Sequence, residues 1–295
     1  MKSWILAARP KTLPAAIVPV WVGAAFPLAS GKGSWLLFFC TLVSCVFIQI
    51  ATNLFNDAID SKKGADTEKR LGPTRVTATG ALSGRTVMAG AIVFCFLAAM
   101  VAIPMVLARG WPIIAIGLVS IFFAYGYTGG PVPLAYKGLG ELFVILFFGF
   151  VAVAGSFYVQ VGSIESSMVF FVFALSLMCG FYSSALIAIN NLRDVEEDSG
   201  TGKRTLAVRW GVGFARAEIA LFCLGPLAIW AYLLSERGGY PVAFVILGIQ
   251  AVLAVFLVSR VYRAKPSPIY NKFLALAALQ LLLFGAVVGC IAYGL

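Results

Sequence analysis

The chain has 295 residues, of which 61% are hydrophobic and 12% charged, with a net charge of +10 and no histidine. Soluble domains carry about 25% charged residues, so this composition excludes a soluble enzyme, a disordered chain and a disulfide-stapled secreted domain. It predicts a polytopic membrane protein. The missing histidine also removes imidazole acid–base chemistry, haem ligation and the common zinc sites.

A helix needs about 20 apolar residues to cross a bilayer, and an open strand cannot cross because its backbone groups would go unpaired. Nine spans are predicted in chain order, near residues 12–30, 35–56, 86–108, 111–127, 139–161, 168–191, 214–234, 240–259 and 271–293. The expected fold class is therefore all-α, with nine transmembrane helices around a central cavity opening to the cytoplasm. No linker or soluble segment interrupts them, so residues 1–295 read as a single membrane domain. The first ten residues do not read as a signal peptide, because Arg9, Pro10 and Lys11 interrupt the apolar run. Cys40, Cys45, Cys95, Cys179, Cys223 and Cys290 sit in apolar runs and form no C-x-x-C pair. They read as small packing residues.

Charge orients these spans. Of the 22 lysines and arginines, all but Lys32, Arg109 and Arg237 fall on alternate connections counted from the N-terminus. The positive-inside rule then places the N-terminus in the cytoplasm and, with nine spans, the C-terminus outside. A bacterial inner membrane is the expected location.

The acids break this pattern. Eight of the 12 acidic residues lie in two short windows, Asp57, Asp60, Asp66 and Glu68, then Asp194, Glu196, Glu197 and Asp198. Both windows follow a long apolar helix, on the side predicted to be cytoplasmic. Each contains N-x-x-x-D: Asn56 to Asp60, and Asn190 to Asp194, the second continuing to Asp198. Residues four apart share one helix face. Crowded carboxylates repel, and a divalent cation removes that penalty. Oxygen ligands without His or Cys select a hard ion, which favours Mg2+. The candidate metal ligands are Asn56, Asp57, Asp60, Asn190, Asp194 and Asp198, with Asp60, Asp194 and Asp198 also expected to be catalytic. Asp66, Glu68, Glu196 and Glu197 read as surface charges. Mg2+ binds through few carboxylates plus substrate phosphates, so two facing clusters suit a diphosphate.

These motifs resemble the UbiA superfamily of intramembrane aromatic prenyltransferases, whose hallmark is two aspartate-rich motifs on cytoplasmic loops of a nine-helix bundle. Further segments resemble the branch that prenylates 1,4-dihydroxy-2-naphthoate: Arg9-Pro-Lys-Thr-Leu-Pro14, Gly64-Ala-Asp66, Gly72-Pro-Thr-Arg75-Val-Thr, Tyr127-Thr-Gly-Gly-Pro131, Gly138-Leu-Gly-Glu141 and Gly202-Lys-Arg-Thr-Leu-Ala-Val-Arg209. The resemblance runs from residue 9 to about residue 211. One position departs. Gly64 stands where the family's first motif often has another Asp, so Asp60 is preferred to Asp66 as a ligand.

The resemblance implies transfer of a polyprenyl group from polyprenyl diphosphate to dihydroxynaphthoate, with loss of CO2 and diphosphate, giving a demethylmenaquinone. Mg2+ is the implied cofactor, the bilayer the surroundings, and nucleic acid is not an expected partner. Arg9, Lys11, Arg75, Lys137, Lys203 and Arg204 are the expected clamps for diphosphate and carboxylate. Tyr136 and Tyr158, with Tyr125 and Tyr127, could turn aromatic faces to an allylic cation or sit in an interface belt. Lys2, Lys62, Lys63 and Arg263 read as plain anchors of a positive surface. Two alternatives stay open: another aromatic acceptor, such as 4-hydroxybenzoate or homogentisate, and a secondary transporter.

Overall fold

The computed structural model describes residues 2–63, 71–72, 75–131, 133–234 and 240–295. Asp66, Glu68, Lys69, Arg70 and Arg237 lie outside these residues. Among the described residues every regular element is helical. In chain order these are α1 (Lys2–Ala8), α2 (Pro14–Ala29), α3 (Trp35–Lys62), α4 (Gly84–Val101), α5 (Ile103–Arg109) and α6 (Trp111–Gly126). There follow α7 (Gly140–Val161), α8 (Ser166–Arg193), α9 (Val195–Gly200), α10 (Leu206–Leu234), α11 (Pro241–Arg263) and α12 (Tyr270–Ala292).

All nine apolar stretches form helix, but not all reach crossing length. Seven are long and apolar enough by themselves: α3, α4, α7, α8, α10, α11 and α12. Residues 2–12 and α2 make an eighth as a pair bent by 50°. Pro10 and Pro14 lie at that bend, where a missing N–H and a fixed φ favour a fresh helix start. Helix α6, at 16 residues, is shorter than a straight span needs. Ser34 and Ser83 cap α3 and α4 by accepting from the amides of Leu37 and Thr86.

The most enclosed span is α8. It packs against α2, α7, α10 and α12, burying Met178, Tyr182, Trp230 and Phe284 among them. Small residues make the α7–α8 crossing close. A Cβ on Gly149 would meet the Ser176 carbonyl oxygen at 2.5 Å, and one on Gly180 would meet the Ile145 oxygen at 3.0 Å. Without a hydrophobic drive inside lipid, such backbone approach is a main source of helix association. Along this contact α7 widens into a π-helical stretch, Ile145–Ala154.

Alternate connections gather at one end of the bundle. There Asn53 donates to the Ala8 carbonyl at 3.0 Å, and Lys63 to that of Thr128 at 2.8 Å. The Arg204 amide donates to Tyr136 at 3.1 Å, and Asn271 to Leu71 at 3.0 Å. At the opposite end, the Ser34 amide donates to Gln160 and Arg109 to the carbonyls of Val159 and Gln160. An apolar cavity lies between α2, α3, α6 and α7. It runs from Gln49 and Thr52, one turn inside Asn56, to Val159, and Phe123, Phe143 and Phe147 line it.

Candidate active site

The first motif lies on unbroken helix. Helix α3 continues through Asn56, Asp57 and Asp60 to Lys62, so Asn56 and Asp60 share a face as their spacing predicts. Asp60 is buried and occupied on both oxygens. Arg75 pairs with Oδ2 at 2.8 Å, with side-chain exposures of 6% for Arg75 and 5% for Asp60. The Tyr136 hydroxyl donates to Oδ1 at 2.8 Å. Asn56 accepts from the Thr128 hydroxyl.

Asp57 points elsewhere. It accepts from the Val76 amide at 3.3 Å, from the Thr77 amide at 3.4 Å and from the Thr77 hydroxyl. Successive helical residues are about 100° apart, so the neighbour of a cavity-facing Asn turns towards the next element. Here that element is the 75–80 turn. Asp57, expected as a ligand, here clamps this turn, and with it Arg75, over the first motif.

The second motif is built differently. Helix α8 ends at Arg193, and Asp194 leaves the helix with φ −96° and ψ 11°. Helix α9 then carries Asp198. Asp194 serves both helices: its amide donates to the Asn190 carbonyl at 3.0 Å, and its own carbonyl accepts from the Asp198 amide at 2.8 Å. Asp194 is gripped on both oxygens by Arg193, at 2.7 and 2.6 Å. Asp198 is buried and pairs with Lys203 at 3.5 Å. Burial pushes the Asp198 carboxyl up to about 6, with Asp194 and Glu197 adding to the shift and Lys203 opposing it. Asn190 lies half-buried one turn inside Asp194.

Tyr136 joins the two motifs. Its hydroxyl reaches Asp60, its backbone holds Arg204, and two ammonium groups flank its ring. Lys63 lies 4.1 Å and Lys203 5.4 Å from the ring centre, positions suited to cation–π attraction. Burial lowers the Lys63 ammonium from its usual value, and nearby Lys203 adds to this while Asp60 opposes it. Lys63 is exposed, yet its contacts with Tyr136 and the Thr128 carbonyl hold it beside the first motif. Tyr127 lies within electrostatic reach of Asp60, Glu141 and Asp198.

The remaining candidates divide. Arg9 sits where Asn53 ties the α1–α2 turn to α3, at a left-handed φ of 51°, which a non-glycine residue seldom adopts. Lys11, Lys137 and the Arg204 side chain are exposed. Tyr125 is also exposed and packs edge-on against Phe55. Tyr158 is not at this site. Its hydroxyl contacts the Arg109 carbonyl at 3.5 Å, 18 residues along α7 from Gly140, or about 27 Å of helix. It lies at the other end of the bundle, which Arg109 secures. Arg193, Asn271, Thr77 and Thr128 were not singled out from the sequence. Thr77 and Thr128 stand in segments that carry the family resemblance and Arg193 stands beside Asp194, whereas Asn271 carried no signal.

The donor set suits a hard cation. Every candidate ligand offers oxygen, and the cationic partners leave outer lone pairs on Asp60, Asp194 and Asp198. Among the described residues no three His, Cys, Asp or Glu side chains gather at one point. The arrangement therefore fits Mg2+ held by one or two carboxylates per ion with phosphate oxygens completing the shell.

An all-helical bundle with two carboxylate motifs bridged at one end, over an apolar cavity, defines an intramembrane enzyme class. Residues 16–293 match the UbiA prenyltransferase family, and the chain belongs to it. It is 36% identical over 219 residues to the 1,4-dihydroxy-2-naphthoate octaprenyltransferase of Haemophilus influenzae, covering 72% of this chain and 70% of that one. It is 34% identical over 236 residues to the Escherichia coli protein of the same name, covering 78% and 75%. A solved UbiA homologue from Archaeoglobus fulgidus, bound to DMAPP and Mg2+, superposes with a TM-score of 0.66 at 15% identity, over 97% of this chain and 99% of that one.

Proposed function

We propose that this chain is a Mg2+-dependent prenyltransferase. It transfers a polyprenyl group from its diphosphate to 1,4-dihydroxy-2-naphthoate, with loss of CO2 and diphosphate, giving a demethylmenaquinone. The observation that carries this reading is the bridge of Tyr136, Lys63 and Lys203 between the two carboxylate motifs, beyond the Thr52 end of an apolar cavity. Family membership and the named relatives support it.

Asp60, Asp194 and Asp198, with Asn56 and Asn190, would hold Mg2+. When bound, the ion neutralises diphosphate charge and makes diphosphate a better leaving group. The protein's own groups do the rest. Arg75, Lys63 and Lys203 place three cations between the motifs, where negative charge collects as the allylic C–O bond breaks. Tyr136 presents its ring beside that point, where an allylic cation gains from an aromatic face. The isoprene tail lies in the apolar cavity between α2, α3, α6 and α7. The naphthoate ring attacks the allylic carbon, and CO2 leaves from the attacked position. The loops gathered over the motif end exclude water, which would otherwise quench the cation to an alcohol. Arg9 and the exposed Lys11, Lys137 and Arg204 form the outer basic rim that attracts the acidic substrates.

The bent α1–α2 pair and α6 are read here as spans alongside the seven long helices. Nine spans then form one membrane domain, the motif end and the N-terminus face the cytoplasm, and the C-terminus lies outside a bacterial inner membrane. Only that orientation puts the basic connections on the cytoplasmic side.

The test is transfer by the purified, lipid-reconstituted protein from a labelled polyprenyl diphosphate, with dihydroxynaphthoate and 4-hydroxybenzoate competing. Prenylated naphthol should accumulate with Mg2+ and stop with EDTA. Preference for hydroxybenzoate would overturn the acceptor assignment, and activity in EDTA would overturn the metal dependence.

A further inference from the structure

Asp194 leaves its helix at the point where its side chain must be aimed most carefully. Its amide closes α8 on the Asn190 carbonyl at 3.0 Å, but no helical bond sets the direction of its carboxylate. A different device does so. Arg193 is 3% exposed although it stands at a helix mouth. All three of its guanidinium nitrogens are engaged. Nε donates to Asp194 Oδ1 at 2.7 Å and Nη2 to Oδ2 at 2.6 Å, while Nη1 donates to Asn271 Oδ1 at 2.7 Å. Asn271, in the first turn of α12, uses its own amide to donate to the Leu71 carbonyl at 3.0 Å. One line of hydrogen bonds thus runs from Leu71, beyond the first motif, through the last helix, to the carboxylate of the second motif.

A bidentate guanidinium fixes the plane of a carboxylate while leaving an outer lone pair on each oxygen. A lysine offers a point charge and no such fork. Arg193 is itself held, because Asn271 occupies the third nitrogen. Asn271 is exposed but Arg193 is buried, so rotation of either side chain would leave a buried Arg193 donor without its acceptor, which costs about 1–3 kcal/mol.

We infer that Arg193 and Asn271 are positioning residues for Asp194. They hold its carboxylate in the orientation that receives the cation and the diphosphate, and Asn271 ties that orientation to the loop after the first motif. The inference rests on the reading of Asp194 as a metal ligand.

The experiment uses the full chain in lipid nanodiscs, with Asn271→Ala and Arg193→Lys compared to the unaltered protein. Binding of Mn2+, as a paramagnetic stand-in for Mg2+, is followed by electron paramagnetic resonance. KM is measured separately for the prenyl diphosphate and the naphthoate, and melting is recorded. Both variants should weaken Mn2+ binding about tenfold, as is usual when the partner of a metal ligand is lost. KM should rise for the diphosphate and stay unchanged for the naphthoate. A purely structural role would lower the melting temperature and leave Mn2+ affinity within twofold, which overturns the inference. Tighter binding in Arg193→Lys would show Arg193 to be a competitor of the cation, and overturns it too. Should Asn271→Ala not fold, the charge-conserving Arg193→Lys decides. Absence of Mn2+ binding in the unaltered protein would instead strike at the metal reading itself.

Discussion

The two motif-bearing helix ends share a sequence spacing and differ in backbone. At the first, α3 runs on past Asp60, and the carboxylate finds its partners on other segments, Arg75 and Tyr136. At the second, α8 stops at Arg193, and Asp194 and Asp198 find theirs close by in sequence, at Arg193 and Lys203. The first motif depends on loops folding back onto a rigid helix. The second assembles locally and is tied to the bundle through Asn271. Equal spacing of an amide and a carboxylate is therefore compatible with two architectures, and their weaknesses differ.

The largest effect should come from removing the carboxylates. Asp60→Ala and Asp194→Ala are each expected to lower transfer by at least about 100-fold, since a metal ligand should matter no less than the partners that orient it. Stability should separate the two. Asp60→Ala breaks a pair whose members are 6% and 5% exposed. Breaking a buried pair in this way costs about 3–5 kcal/mol. Asp194 is 14% exposed, and Arg193 keeps its bond to Asn271, so that variant should melt closer to the unaltered protein. Equal losses of melting temperature would erase the contrast.

What the sequence made legible follows from the same contrast. Membrane class, helical fold and the two motifs could be read from apolar runs and from acids placed where a positive surface needs none. Asn56 and Asp60 could be read as one face because the helix is continuous there. Asp57 could not be told from Asp60 because composition cannot say which of two nearby acids meets the next turn. Tyr158 could not be placed at either end from the sequence, because an aromatic at a helix end carries no mark of which membrane face it meets. Lys63 looked like any cation beside an apolar run. Its place under Tyr136 depends on a 73-residue return of the chain.

Asp57→Asn should give the reverse of Asp60→Ala. It keeps the shape but weakens the grip on the 76–77 amides and the Thr77 hydroxyl. The expected loss is about 1–2 kcal/mol of stability, with the Mg2+ concentration for half-maximal transfer unchanged. A large shift in that concentration would return Asp57 to the ligand set. Tyr136→Phe comes next. It removes one hydrogen bond to a charged acceptor while keeping the ring between two ammonium groups. Bonds of that kind contribute about 1.5–3 kcal/mol. The diphosphate KM should therefore rise about tenfold, and an unchanged KM would show that the bridge between the motifs is not used.

The smallest effect should be at Tyr158. Its single polar contact, at 3.5 Å to the Arg109 carbonyl, is at the edge of hydrogen-bonding distance. Arg109 already secures that end of α7 through the carbonyls of Val159 and Gln160, at 2.8 and 2.7 Å. Tyr158→Phe should leave KM for both substrates within twofold and move melting by less than about 0.5 kcal/mol, as ordinary substitutions away from such features do. The control matters because Tyr136 and Tyr158 looked alike in the sequence, each an aromatic near a loop. If Tyr158→Phe impaired transfer as Tyr136→Phe does, the chemistry would not be confined to the motif end. The division of the bundle into a reacting end and an anchoring end would then have to be redrawn.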